Sequence, residues 1–264
     1  MRRWPVIAAA LFVATSAAWS LSEPQERALR RAIAESERGM SALTKGNLGK
    51  AREAFGASMK AVPDFPQAHL GLGHLAMRER RFEDALREFR DAESAYRSMS
   101  SAIVELETER YAKSRDELQQ LRMNLAQLEA AASRAATAGE MGTSASQEAA
   151  INRERNIVEQ RIQSLETMNP PTTLNVHEAP AEVLFFQGNA LFDLKRTDEA
   201  IAAWETALKR DPKQPLAENN LAVAYWMSGR LQEAQAAMTR SETLGFKVNP
   251  SFRADLEKAL SSTH

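Results

Sequence analysis

The apolar positions of this 264-residue chain follow the spacing of helices. They return every three or four residues, and no alternating run of β-branched residues predicts a strand. In the segment 191–212, for example, Ala200, Trp204 and Ala207 fall on one helical face, and Pro212 stops the helix. Aromatic residues make up only 6% of the chain and alanine is abundant, which favours closely packed helices. The pattern predicts an all-α protein.

The same pattern occurs four times, with a period of about 34 residues. The small residue at the crossing of two helices is Gly39, Gly73, Gly188 and Ala222 in turn. The alanine on the second helix is Ala51, Ala85, Ala200 and Ala234, and the large residue four positions later is Phe55, Phe89, Trp204 and Met238. A small residue lets two helix axes approach, and a ring fills the remaining gap. Each helix pair then needs a stacked neighbour to cover its apolar face.

These copies resemble the tetratricopeptide repeat, whose motif contains Leu-Gly, a turn, an alanine, an aromatic residue and a second alanine. The second copy matches it at Leu72, Gly73, Ala85, Phe89 and Ala92. The first copy departs from it at Arg38, where leucine is expected. The resemblance implies a helix-turn-helix solenoid of about four repeats, two plus two. We expect the repeats to stack as one body; two separate pairs joined by a rod are the alternative.

A long helical insertion separates the two pairs of repeats. The chain has neither glycine nor proline between His74 and Ala138, so one helix is predicted from Phe82 to about Thr137. Its apolar positions are spaced like a coiled-coil seam: Val104, Tyr111, Leu118, Leu121, Leu125, Leu128, Ala132 and Ala135. A second helix, from about residue 147 to 167, is expected to fold back on it as a coiled-coil hairpin. The alternative is a homodimer through residues 96–168.

The two ends of the chain carry different signals. Residues 1–20 have the basic start, short apolar core and small residues of a secretory signal peptide, which implies an exported protein, periplasmic or secreted. An uncleaved membrane anchor is the alternative. Near the other end, Asn249 and Pro250 open a predicted capping helix. The expected organisation is signal peptide 1–20, repeats 21–95, coiled-coil insertion 96–168, proline-rich linker 169–180, and repeats with cap 181–264.

The charge and composition of the chain argue against most kinds of catalytic, metal and nucleic-acid site. A net charge of −1 argues against nucleic acid as a partner, and the lack of cysteine excludes disulfides and thiolate chemistry. His69 and His74 are five residues apart rather than the three or four that place two ligands on one helical face. The sequence contains no HExxH, GxSxG or Walker motif. We therefore expect no enzyme activity, no cofactor and no metal.

The resemblance implies that the first helix of each repeat lines a groove for a protein or peptide partner. By register, the groove candidates are Leu70, His74, Met77, Phe185, Asn189, Phe192, Asn219, Asn220, Val223, Trp226 and Met227. Phe185 stands where some members use lysine to hold a terminal carboxylate, so an apolar or extended segment is expected instead. The predicted function is an exported, non-enzymatic interaction scaffold. The alternative is a structural protein that self-assembles through the insertion.

Overall fold

The computed structural model describes residues 23–138, 145–168 and 178–262, and these residues form ten helices. The helices are α1 (Glu23–Thr44), α2 (Leu48–Ala61), α3 (Pro66–Arg78), α4 (Phe82–Ala138), α5 (Ala145–Glu166), α6 (Ala181–Asp193), α7 (Thr197–Arg210), α8 (Pro215–Met227), α9 (Leu231–Thr243) and α10 (Pro250–Ser261). The predicted signal peptide and residues 169–177 of the predicted linker lie outside the described residues. Among the described helices, none combines the length and the hydropathy needed to cross a membrane.

The described residues divide into two compact units. The first, here called the repeat array, contains the described residues up to Ser100 and from Glu178 onward. The second, here called the helical pair, contains the described part of 101–176. Helix α4 contributes its first part to the array and its remainder to the pair.

Rings inserted against glycine hold the helices of the first three repeats together. A Cβ atom added to Gly73 would lie 2.4 Å from the Phe89 ring, and one added to Gly188 would lie 2.4 Å from Trp204 Nε1. The first repeat has the same contact between Gly39 and Phe55. No larger residue fits without moving these rings, so the predicted role of the small residues is confirmed.

The second and third repeats are direct neighbours within the array. The Gln187 side chain donates hydrogen bonds to the Phe89 carbonyl oxygen at 3.3 Å and to Glu93 at 2.9 Å. The rings of Phe89 and Phe186 stack with centroids 5.7 Å apart. One hydrophobic core runs from residues of α3 through to the last helix. The two pairs of repeats therefore form one stack, as the sequence predicted.

Helix α10 closes the array as the predicted cap. The Asn249 side chain accepts a hydrogen bond from the Ser251 amide, and Pro250 is the first helical residue. Gly245, with φ of +87°, adopts the left-handed conformation just after α9 ends. Leu256 is fully buried in the core. The cap therefore covers the apolar end of the last repeat.

The helical pair is formed by α5 packed on the later part of α4. Leu118 from α4 shares a buried cluster with Val158, Ile162 and Leu165 from α5. A parallel arrangement with this contact would place the start of α5 roughly 50 Å from the end of α4. The connection between Ala138 and Ala145 spans at most roughly 25 Å. The two helices therefore run antiparallel.

The seam residues predicted for α4 differ in their burial. Leu118 is buried, and the next three leucines of the seam pack partly buried against the cluster. Tyr111 and Ala132 are half-buried. The side chains of Val104 and Ala135 lie outside the described part of the chain. Earlier on α4, Tyr96 is buried in the core of the array rather than in the helical pair.

Candidate functional site

The predicted groove residues of α3 are mostly taken up by the core. Leu70 is buried and belongs to the main hydrophobic cluster, so it is not available to a partner. Met77 is partly buried against the same cluster. The His74 ring makes edge contacts with Phe89 at 5.5 Å and Phe186 at 4.1 Å. Burial, with the nearby charge of Arg78, lowers the pKa of His74 to about 4. His74 is thus a neutral packing residue at neutral pH.

The candidates on α6 join neighbouring helices. Asn189 Oδ1 accepts hydrogen bonds from Trp204 Nε1 at 3.2 Å and from Asn220 Nδ2 at 2.9 Å. The Phe185 carbonyl oxygen also accepts from Trp204 Nε1, at 3.1 Å. Phe192 packs on the same indole, with centroids 5.7 Å apart. The two asparagines therefore fasten the third repeat to the fourth.

Helix α8 presents the most accessible apolar surface of the array. Leu216 is 51% exposed and Met227 is 57% exposed, while Val223 between them is half-buried. Positions 216, 223 and 227 share one helical face, because seven and eleven residues correspond to about two and three turns. We call these three residues the α8 stripe. Asn219 is half-buried beside it.

Trp226 was predicted on the same surface and is half-buried. Its ring makes an edge contact with Phe252 of the cap helix, with centroids 5.8 Å apart. Leu216, by contrast, was not among the sequence candidates. Its position right after Pro215, at the first turn of α8, is the signal that could have identified it. Of the predicted groove residues, Met227 and Val223 remain in the candidate surface.

The tetratricopeptide repeat family matches residues 36–100 and 187–244. Both ranges fall on helix pairs of the repeat array, and each contains the ring-against-glycine contacts described above. The chain contains tetratricopeptide repeats at these two sites. Tetratricopeptide repeat proteins are typically non-enzymatic scaffolds, and their repeats bind protein or peptide partners. The helical pair lies outside both matched ranges.

Several solved structures are similar to this chain. One is a thermophilic protein of Thermus thermophilus, with 17% identity, a TM-score of 0.35, and coverage of 89% of this chain and 98% of that chain. Another is Pseudomonas aeruginosa pilF, with 14% identity, a TM-score of 0.38, and coverage of 90% and 87%. A third, YrrB, is described as having an unusual peptide-binding site; it has 14% identity, a TM-score of 0.27, and coverage of 88% and 91%. A search of curated proteins finds no match. These values are too low to transfer a partner.

A second group of polar side chains surrounds His69 in the second repeat. His69 Nδ1 lies 2.9 Å from Glu88 Oε2, and its Nε2 lies 3.7 Å from Asp64 Oδ1. The hydrogen bond with Glu88 raises the pKa of the buried His69, and the charges of Glu88, Asp91 and Asp64 add to this effect. Sequence reasoning compared His69 only with His74 and missed these partners. The signal was a carboxylate pair, Glu88 and Asp91, spaced three residues apart on one helix.

Glu182, which is half-buried, and the buried Tyr96 form a further polar region in the array. Burial raises the pKa of the Glu182 carboxyl from its ordinary value of 4.5 to about 7. The Tyr96 hydroxyl is buried and has no hydrogen-bond partner among the described residues, and burial raises its pKa, with the charge of Glu182 adding to the rise. This region influences stability, as argued in the Discussion.

Proposed function

We propose that this protein is an exported scaffold that binds an apolar, extended segment of a partner protein on the α8 stripe. The observation that carries the proposal is the exposure of Leu216 and Met227 at 51% and 57% on one helical face. Most other apolar side chains of the last two repeats are buried or partly buried in the core. Exposed apolar groups that share one face are typical of contact surfaces.

The chemistry of the surface favours an apolar segment over an acidic terminus. Methionine adapts to varied apolar partners because its side chain is unbranched and flexible. Asn189 accepts hydrogen bonds from Asn220 and from Trp204, so the two amides are committed to the array. Phe185 supplies no positive charge for a carboxylate. An extended segment gains affinity here mainly by covering Leu216, Val223 and Met227.

A peptide-binding experiment tests this proposal. A panel of short apolar and acidic peptides is titrated into the purified chain, and binding is followed by fluorescence anisotropy of the labelled peptide. The double variant Leu216→Ser, Met227→Ser should weaken binding of apolar peptides at least about tenfold. Leu244→Ser is the matched control, because Leu244 is also exposed and apolar but follows α9. Equal weakening in the control, or a preference for acidic peptides, contradicts the proposal.

The export component rests on residues 1–20. Their basic start and short apolar core are the features that export machinery recognises. Amino-terminal sequencing of the mature chain from its native host tests it. A start near residue 21 supports export with cleavage, retention of Met1 in a membrane fraction supports an anchor, and retention in the cytosolic fraction contradicts export.

Self-assembly through a coiled-coil arm is the second candidate function. The helical pair exposes Ile157 at 67% and Met123 at 48%, which a second copy could cover. The main seam, however, is filled within the chain by Leu118 and its partners on α5. Light scattering of the full chain across concentration distinguishes the two functions. A dimer that Ile157→Glu converts to a monomer supports assembly, whereas a monomer at every concentration contradicts it.

A further inference from the structure

His69 lies in an unusually acidic setting for a buried histidine. One ligand atom from each of His69, Glu88 and Asp91 lies within 4.8 Å of the other two. Glu88 and Asp91 face the same way because they are three residues apart on α4. Asp64, in the turn after α2, approaches the other ring nitrogen. The imidazole is thus held between two helices and a turn, with carboxylates at both nitrogens.

The negative charge of this cluster is not balanced by basic side chains. Within the described ranges, Asp64, Glu88 and Asp91 form no ion pair with lysine or arginine. Asp84, one turn before Glu88 on the same helix, shows the contrast, because it pairs with Arg87 at 2.7 Å. Even a protonated His69 would supply one positive charge against three negative ones. A bound divalent cation would reduce this net negative charge.

We propose that His69, Glu88 and Asp91 bind a divalent transition-metal ion of the zinc class. One imidazole nitrogen with two carboxylate oxygens is a set of ligands that zinc accepts. Magnesium and calcium, by contrast, prefer oxygen ligands alone. This proposal reverses the sequence expectation of no metal. That expectation considered only histidine pairs within one helix, whereas these ligands come from two.

The geometry assigns a role to each nitrogen of the ring. The ion binds at Nδ1, between His69 and Glu88, and the Nδ1 proton is released to solvent. Asp64 Oδ1 lies 3.7 Å from Nε2, and a small movement of this exposed side chain would let it accept a hydrogen bond from Nε2 and orient a metal-bound histidine. Zinc–ligand bonds of about 2.0–2.2 Å require ligand atoms roughly 3–3.6 Å apart. Asp91 is exposed and can move by the small amount that this requires.

An open cleft gives an ion access to these ligands. The cleft has a volume of about 570 Å³, and Asp64, His69 and Asp91 lie in its wall together with Ser94 and Ser98. A water molecule from the cleft can complete the coordination of an ion held by three protein ligands. Because the ligands come from α3 and α4, a bound ion would join the two helices of the second repeat and stabilise the array.

Calorimetric titration with zinc chloride tests the proposal on the full chain, purified with chelator and then dialysed. His177 and His264 are replaced by alanine in every sample, so that these histidines cannot compete. We expect one equivalent of zinc to bind and the melting temperature to rise with zinc concentration. Asp91→Asn and Glu88→Gln should each weaken zinc binding by at least about tenfold. Glu129→Gln, an exposed position later on α4 with the same change of charge, should leave binding unchanged.

A spectroscopic measurement keeps the result independent of folding defects. Cobalt(II) replaces zinc and reports its ligands through visible absorption, and circular dichroism confirms that Asp91→Asn is folded. A cobalt spectrum that indicates nitrogen and oxygen ligation, and is lost in folded Asp91→Asn, supports the site. Absence of binding, or zinc affinity that none of the ligand substitutions changes, overturns it; the second result would mean an adventitious ion only.

Discussion

The repeat array and the helical pair bury their apolar side chains in different ways. The array fits single large rings against glycine, so that Trp204 and Phe89 each contact residues from neighbouring helices. The pair uses a line of medium-sized aliphatic residues centred on Leu118, with ion pairs beside it. The array therefore depends on a few positions where shape is tightly fixed. The pair spreads its stability over several more tolerant positions.

Removal of one buried ring from the array should have the largest effect on the free energy of unfolding. Trp204→Ala should lower the free energy of unfolding of the array by about 3–5 kcal/mol, because a fully buried indole and its hydrogen bonds are lost. Leu118→Ala should cost about 2–3 kcal/mol and should act on the helical pair. Hydrogen exchange by mass spectrometry checks both, since the first should expose α6 to α9 and the second the later part of α4 and α5. Equal exposure of both units by either variant would show that the two units unfold together.

Replacement of glycine by alanine should have the next largest effect on the free energy of unfolding. The sign of this effect should depend on the position of the glycine. Gly188→Ala should destabilise the array by about 1–3 kcal/mol, because the new Cβ would lie 2.4 Å from Trp204 Nε1. Gly56→Ala is the matched control within helix α2, where no atom lies within 4 Å of the added Cβ. There the change should stabilise by about 0.5–1 kcal/mol, because glycine is unfavourable inside a helix. Urea denaturation measures both, and equal signs would contradict the ring-against-glycine account.

These contacts show why so much of the fold was predictable. Gly188 and Trp204 belong to a pattern that returns at a fixed spacing, so the helix pairs and their stacking follow from local sequence. The ends of α4 and the cap at Asn249 were also predictable, because prolines, glycines and capping residues act locally.

The candidate sites were harder to predict because they depend on contacts between distant helices. Trp226 and Met227 are adjacent in sequence, yet the first packs against Phe252 and is half-buried while the second stays exposed. Likewise, His69 meets Glu88 only because α3 packs on α4. Sequence spacing within one helix contains no information about such neighbours. The sequence therefore indicated which helices to examine, but not which side chains remain accessible.

Glu182 should make the stability of the array depend on pH, and the size of this effect should be intermediate. Its carboxyl has a raised pKa of about 7 in the folded chain, against 4.5 in the unfolded chain. Between these values the folded state binds more protons, so this residue contributes stability at low pH that is lost as the pH rises toward 7. Glu182→Gln should therefore be more stable than the wild type at pH 8 by about 1–2 kcal/mol, and this advantage should vanish near pH 4.

Chemical denaturation at several pH values measures the difference between Glu182→Gln and the wild type. His74 acts in the opposite sense, because its lowered pKa of about 4 means that protonation at low pH favours the unfolded state. That contribution is present in both proteins and cancels in the difference. A constant advantage of Glu182→Gln at all pH values would contradict the linkage to its titration.

The smallest effect should come from an ion pair of the helical pair. Arg161 Nε lies 2.7 Å from Glu117 Oε1 and holds the pKa of that carboxyl below its usual range. Both side chains are exposed, so water and salt screen the attraction, and ordering the two side chains offsets much of what remains. Arg161→Gln should therefore leave the melting temperature unchanged within error at physiological salt, as should the control Arg153→Gln on the same helix. A loss comparable to that of Leu118→Ala would mean that charge, rather than the aliphatic seam, holds α5 to α4.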